Sequence, residues 1–182
     1  AYDDNIQIPA VIAAYRTPSF KTRDSKILDM ISTYLSGGKS SVLYKKMVDT
    51  KKMSLAVQAV NISQQDYGIY ALFSLPLGDV TLDALIKEMD EEILKIQTDL
   101  ISENDFQKIQ NQFENNYVNS NSNVVGIAGS LASYNVMYGD TNLINSEIEI
   151  YRSVTREEIR EVAKKYLNTN QRLILEYLPK KK

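Results

Sequence analysis

Residues 53–76 read MSLAVQAVNISQQDYGIYALFSLP, in which a polar segment, residues 63–66, separates two apolar runs. Both runs are rich in the aliphatic and aromatic residues that favour strands, and a short polar connection between two such runs is typical of a hairpin. The pattern therefore predicts two antiparallel strands, over residues 53–62 and 67–76.

Further strands are predicted near the two ends of the chain. Residues 6–15, IQIPAVIAAY, form an apolar run with Pro9 near its start, where the missing backbone donor suggests a sheet edge or a bulge. The segment Arg16-Thr17-Pro18 is predicted to end this strand. A last strand is predicted over residues 172–178, before Pro179.

Between these strands, apolar residues recur at helical spacing, with capping residues at the predicted starts and glycines at two of the predicted ends. The first predicted helix covers residues 24–35 and is stopped by Gly37-Gly38, and a short helix capped by Ser40 or Ser41 follows it. A long helix capped by Thr81 and a helix opened by Ser102 come next. The last two are a helix over residues 124–138, ended by Gly139, and a helix started by the capping box Thr155/Glu158.

This order of elements predicts an α+β fold, with a mostly antiparallel sheet and helices packed on one face. The longest candidate linker, residues 119–123, suits a turn between helices better than a domain boundary. We therefore expect a single domain over residues 1–182. Because the chain starts with Ala1 rather than Met, we also expect it to be a fragment of a longer chain, and its compartment stays unknown.

The chain contains no histidine and no cysteine. Catalytic triads and dyads that use these residues, His- or Cys-based zinc sites and disulfides are therefore excluded from its own residues. The formal net charge of -2 is spread over mixed signs, which argues against nucleic-acid binding, and no apolar stretch is long enough to predict a membrane span. The remaining options are carboxylate, lysine or tyrosine chemistry, or a domain that binds without reacting.

Three candidate sites have simpler structural interpretations. Gly38-Lys39-Ser40 resembles part of a phosphate-binding loop, but Thr33 stands where that loop needs glycine, so a helix stop and restart is preferred. The acidic cluster Glu88, Asp90, Glu91 and Glu92 could hold a hard cation, but its position on an amphipathic helix predicts a solvated face. The adjacent Lys51 and Lys52 are predicted to be exposed lysines rather than an activated amine.

Several segments together resemble the C-terminal half-domain of the pitrilysin/insulinase family of zinc peptidases, which includes the mitochondrial processing peptidase. The resemblance lies, in order along the chain, in Ala14-Tyr15-Arg16-Thr17-Pro18, in the segment from Ser36-Gly37-Gly38 through Ser40-Ser41-Val42-Leu43-Tyr44, in Tyr138-Gly139-Asp140 and in the final helix from Val154 to Leu167. Each motif is weak alone, but their order and spacing cover nearly the whole chain.

The resemblance implies a peptidase-like inactive domain that pairs with a homologous zinc-bearing half-domain or subunit and encloses unfolded peptide. In this family the zinc ligands lie in the other half, so we expect no metal site, no cofactor site and no catalytic residue in this chain. Zinc is expected in the partner half if the parent protein is active.

Active members of the family also place an arginine and, seven residues later, a tyrosine in this half to stabilise the reacting carbonyl. The resemblance carries these positions to about Val48 and Leu55, neither of which can donate a side-chain hydrogen bond. Two hypotheses follow. The domain either positions extended peptide for a zinc-bearing half, or it is a structural assembly module in a protein without peptidase activity.

Overall fold

A computed structural model describes residues 1–180 of the chain. The strands are β1 Tyr2–Asp3, β2 Ala10–Pro18, β3 Ser54–Ile62, β4 Tyr67–Pro76 and β5 Arg172–Pro179. The α-helices are α1 Arg23–Ser36, α2 Leu82–Thr98, α3 Glu103–Ser120, α4 Val124–Tyr138, α5 Leu143–Arg152 and α6 Arg156–Tyr166. A π-helical segment, Tyr44–Thr50, and a single 3-10 turn, Thr169–Gln171, complete the elements.

The five strands form one sheet in the order β1-β5-β2-β4-β3. Every neighbouring pair is antiparallel except β1 and β5, whose short parallel pairing joins Tyr2 to Leu178 and Asp3 to Pro179. The predicted hairpin is confirmed, with Val60 opposite Ala71 across β3 and β4. The predicted α+β class and mostly antiparallel sheet are therefore confirmed.

All of the helices that contact the sheet pack on one of its faces. Along β2 the buried residues alternate with more exposed ones, and the buried Val11, Ala13 and Tyr15 join the core. The same core contains Ile27 and Leu28 from α1, together with residues of α2, α3 and α6. This arrangement follows from the two-residue period of a strand, because alternate side chains point to opposite faces.

The predicted helix starts agree with the capping geometry. The side chains of Thr81, Ser102 and Asn123 accept the backbone N–H three residues later, at the starts of α2, α3 and α4. Both hydrogen bonds of the capping box join Thr155 and Glu158. At the end of α4, Gly139 has a φ of 73°, a left-handed conformation that glycine adopts without steric cost.

Three local predictions differ from the structure, and two elements were missed. Strand β2 begins at Ala10 rather than at residue 6, and it continues through Arg16–Pro18 because those residues pair with β4. The short helix after Ser41 contains wide π-type turns, as in the bond from the N–H of Lys51 to the carbonyl of Lys46. Strand β1 and helix α5 were not predicted. None of the helices within residues 1–180 has the length and apolar character needed to cross a membrane.

Candidate functional site

One face of the sheet is covered by none of the helices in residues 1–180, and we call it the open face. Residues opposite one another in an antiparallel sheet point to the same side, so the register identifies this face from the exposed positions of each strand. Its members that are not fully buried are Ile12, Ala14, Arg16 and Pro18 of β2, Ala56, Gln58, Val60 and Ile62 of β3, Tyr67, Ile69, Ala71, Phe73 and Leu75 of β4, and Leu173, Leu175 and Tyr177 of β5.

The open face is apolar, although large parts of it are exposed. The exposed fractions of Leu173, Tyr67, Ile69 and Ile62 are 67%, 58%, 52% and 49%. An antiparallel sheet with one face in water normally carries polar side chains on that face, whereas apolar residues on both faces are typical of a sheet that is covered on both sides. Large exposed apolar patches mark interaction sites. The open face is therefore the candidate functional site.

Arg16 is the single charged side chain among the open-face residues. Its guanidinium carbon lies 3.8 Å from the centroid of the Tyr67 ring, within the range of a cation–π interaction. Arg16 lies opposite Ile69, and Pro18 lies opposite Tyr67, so the Arg16–Tyr67 pair stands at one end of the apolar strip. The open face thus presents one guanidinium, in contact with an aromatic ring, beside aliphatic side chains.

At the edge of the sheet, α1 closes part of the free side of β3. The hydroxyl of Ser36 accepts the backbone N–H of Ala59 at 2.8 Å and donates to the carbonyl of the same residue at 3.1 Å. Further along the edge, the amide of Asn61 donates to the Asp29 carboxylate at 2.9 Å. An unpaired edge strand is a template for another strand, and a covering helix blocks that pairing. The open face, rather than this edge at Ala59, is thus available to a partner.

The two family positions of the expected hydrogen-bond donors fall on different elements of the structure. Val48 is half-buried in the π-helical segment and packs against the core. Leu55 lies at the start of β3, 46% exposed, where the register slips between Ser54 and Ala56. The aliphatic side chains of Val48 and Leu55 cannot donate a hydrogen bond. Their correspondence to the family positions stays a prediction.

The prediction of a solvated face for the acidic cluster was wrong for its two most buried members. Glu88 and Glu92 are 8% and 6% exposed. The ammonium of Lys46 lies 2.8 Å from Oε2 of Glu88, 2.9 Å from Oε2 of Glu91 and 2.9 Å from Oε1 of Glu92. The sequence showed only the spacing of the acidic residues along one helix. Lys46 belongs to a different element, and only tertiary packing brings it to the cluster.

Three more cations complete the pairing of this cluster. Lys51 donates to Glu88, so the prediction that it is merely an exposed lysine was incomplete. Lys95 donates to Glu92 at 2.7 Å, and Arg172 of β5 binds both oxygens of Asp90. Burial favours a neutral Glu88, but Lys46 and Lys51 outweigh burial and hold the pKa of its carboxyl below the ordinary value. Within the described residues, no group of three or more acidic side chains has an arrangement that could hold a metal ion.

The Gly38-Lys39-Ser40 segment forms the turn between α1 and the π-helical segment. Gly38 has a φ of 107°, and its carbonyl accepts both the N–H and the hydroxyl of Ser41. The Ser40 hydroxyl accepts a hydrogen bond from Lys108 of α3. These contacts are those of a helix stop and restart, the interpretation preferred from the sequence.

A second buried polar cluster joins α1 to α4 and α5. Lys26 contacts Oε1 of Glu147 at 2.6 Å and donates to the Tyr138 hydroxyl at 3.1 Å, while Tyr134 donates to the other Glu147 oxygen. Sequence periodicity could not find this cluster, because it depends on α5. With its charges paired across three helices, the cluster is best explained as structural.

The chain is similar to known proteins over most of its length. The model of the family described as "Peptidase M16 inactive domain" matches residues 1–113. A curated relative from Helicobacter pylori, named zinc protease PqqE, is 24% identical over 170 residues, which are 93% of this chain and 38% of the relative.

Solved structures agree with the fold. A protease from Helicobacter pylori superposes with a TM-score of 0.90 at 22% identity, covering 98% of this chain and 43% of that one. The inactive peptidase domain of a candidate zinc protease from Bordetella parapertussis superposes with a TM-score of 0.84 at 19% identity, covering 100% of this chain and 96% of that one. The chain thus spans less than half the length of both Helicobacter proteins.

Proposed function

Because the chain belongs to the family of peptidase M16 inactive domains, we propose that it is the non-catalytic half of a zinc-peptidase-like protein. In this role it holds extended peptide against a zinc-bearing partner half. The open face is the observation that carries the proposal. Its exposed aliphatic and aromatic side chains offer apolar contact area, and burial of such area is the main favourable contribution to association.

An extended peptide suits the open face for two reasons. The face is broad and nearly uncharged, so it favours apolar side chains at several positions rather than one anchored small molecule. Ser36 occupies the backbone groups of Ala59 at the β3 edge, so at that position the peptide contacts the sheet through side chains. The relative's name, zinc protease, is consistent with a peptide as the bound molecule.

The partner half is proposed from the length of the relatives. More than half of each Helicobacter protein lies outside the region that this chain matches, which leaves room for a second domain of similar size. We place the zinc in that half. The described residues of this chain do not fit a zinc site, because the carboxylates of the acidic cluster are paired with Lys46, Lys51 and Arg172.

The test measures binding of a fluorescent apolar peptide to the chain and to two variants. Val60→Glu places a charge on the open face opposite Ala71, away from Arg16, and we expect it to weaken binding about tenfold or more, since burying an unpaired charge is costly. The control, Leu94→Glu, changes a residue of α2 that is 57% exposed on the helical side. Equal binding by the wild type and the Val60→Glu variant would exclude the open face as the site.

Zinc is tested separately by equilibrium dialysis and a peptide-cleavage assay. We expect no stoichiometric zinc and no turnover by the chain alone, because it has neither imidazole nor thiolate ligands. Tight zinc binding, with cleavage that increases in proportion to the chain's concentration, would contradict the proposal.

A second candidate function is a structural assembly module in a protein without peptidase activity. Val48 and Leu55 favour it, because neither residue can stabilise an oxyanion. The amino-acid sequence of the rest of the parent protein distinguishes the two candidates. A His-x-x-Glu-His helix there supports the peptide-holding function, and its absence supports assembly.

A further inference from the structure

The Arg16–Tyr67 pair makes one end of the open face chemically different from the rest. The side chain of Arg16 forms no ion pair or hydrogen bond with any residue that the structure describes, and the neighbouring acidic residue in the hairpin loop, Asp66, does not pair with it. The guanidinium carbon lies 3.8 Å from the centroid of the Tyr67 ring, so the ring holds the charged group beside it. Because no described residue accepts a hydrogen bond from the guanidinium, its N–H donors remain available to a ligand.

Those donors select for a carboxylate. A guanidinium presents its N–H groups in a planar fork that matches the two oxygens of a carboxylate, which favours a paired, charge-assisted hydrogen bond. A single cation on an otherwise uncharged face does not suit a polyanion such as nucleic acid, which is bound through many phosphate contacts. Charge complementarity thus favours one negative group on an apolar ligand.

The position of Arg16 indicates which carboxylate of a peptide it would bind. Ile12, Ala14 and Arg16 are successive open-face residues of β2, and Arg16 is the last of them before the strand ends at Pro18. A peptide that lies along this row has apolar neighbours until its end reaches the guanidinium. We propose that Arg16 binds the C-terminal carboxylate of an apolar peptide on the open face. This proposal rests on the proposed peptide-holding function.

The experiment compares two fluorescein-labelled peptides of sequence Leu-Val-Ser-Leu-Val-Ala, one with a free C-terminal carboxylate and one amidated. Binding is measured by fluorescence polarisation to the wild type, to Arg16→Gln and to Lys87→Gln, a control that removes an exposed charge from α2 on the helical side. We expect the wild type and Lys87→Gln to prefer the acid by about three- to tenfold, which is the range for an exposed, charge-assisted pair.

In Arg16→Gln we expect the preference to disappear, so that the acid and the amide bind with equal affinity. Higher salt should reduce the wild-type preference, because exposed charge pairs are screened. Equal binding of both peptides by the wild type, or a preference that survives in Arg16→Gln, would overturn this inference and leave the peptide-holding function intact. If the wild type bound neither peptide, the peptide-holding function and this inference would both be wrong.

A third peptide, amidated but carrying Glu in place of Ser, tests the choice of carboxylate. We expect it to bind no better than the plain amide. If this peptide bound more tightly than the plain amide, and Arg16→Gln abolished the difference, the ligand of Arg16 would be an acidic side chain rather than the terminal carboxylate. That result would overturn the assignment.

Discussion

The Nζ atom of Lys46 lies 2.9 Å from Oε1 of Glu92, whose carboxylate belongs to a residue only 6% exposed to solvent. This contact joins the π-helical segment to α2, because Lys46 also reaches Glu88 and Glu91 of the same helix. Removing one partner of a buried ion pair leaves the other charge without compensation, which costs more than the pair itself contributes. Lys46 is therefore a structural residue of this chain.

We expect Lys46→Met to lower the free energy of unfolding at neutral pH by about 2–4 kcal/mol, measured by urea denaturation. Lys45→Met is the matched control, since Lys45 precedes it in the same segment and is exposed. Equal losses in the two variants would show that the ion pairs with α2 are not stabilising.

The same variant should show a pH dependence through Glu88. The folded-state pKa of Glu88 is held below the ordinary value of 4.5 by Lys46 and Lys51, despite the opposing effect of burial. A carboxyl of this kind stabilises the fold above its unfolded pKa, and the contribution is lost as the pH falls through the folded pKa. The difference between wild type and Lys46→Met should therefore shrink below about pH 4.

The contribution of Asp29 to the free energy of unfolding should have the opposite pH dependence. Burial raises the pKa of its carboxyl to about 6 from 3.8, and Glu147 adds to the rise, while Asn61 and Lys26 oppose it. Between these two values the unfolded chain releases a proton that the folded chain retains, so stability falls as the pH rises. We expect Asp29→Asn to gain about 1–2 kcal/mol over wild type at pH 7, but little at pH 4.

Thermal unfolding at several pH values measures this effect, and the exposed Asp49→Asn serves as the control. A gain for Asp29→Asn that was equal at both ends of the pH range would contradict a role for ionisation.

Ser36→Ala should open the β3 edge at Ala59. Without the hydroxyl, the N–H and carbonyl of Ala59 lose their partner, at a cost of about 1–2 kcal/mol, and the amide proton of Ala59 should exchange about tenfold faster or more. Ser32→Ala is the control, one turn earlier in α1, where the hydroxyl donates to the helix carbonyl of Leu28 at 3.0 Å. Unchanged exchange at Ala59 would refute this role of Ser36.

Substitutions in β4 should separate the two faces of the sheet. Leu72→Ala removes a side chain that is fully buried under the helices, and we expect a loss of about 2–5 kcal/mol. Ile69→Ala, on the open face, should cost about 1 kcal/mol or less, because its side chain is half-exposed in the chain alone. Chemical denaturation of both variants checks the difference, and similar losses would mean that the open face is covered in solution.

Local patterns predicted those parts of the fold that depend on neighbouring residues. The caps at Thr81, Ser102 and Thr155 join residues three positions apart, and the strands β3 and β4 are consecutive and joined by the short segment 63–66, so the sequence was sufficient. Helix α5 was missed, since it has no side-chain N-cap bond and buries only Ile148. Strand β1 was missed because its two residues exist as a strand only through their pairing with β5.

For the candidate site, composition established that no imidazole or thiolate chemistry belongs to this chain, and the order of its motifs identified the inactive-domain family. These conclusions need no coordinates, because residue types and their spacing are properties of the chain alone. The open face, the closed edge at Ala59 and the pairing of Lys46 with Glu92 arise from contacts between residues far apart in sequence. Such contacts form only when the sheet has one fixed register. Burial of the sheet face that the helices cover selects that register, since a shift of one residue would exchange the two faces.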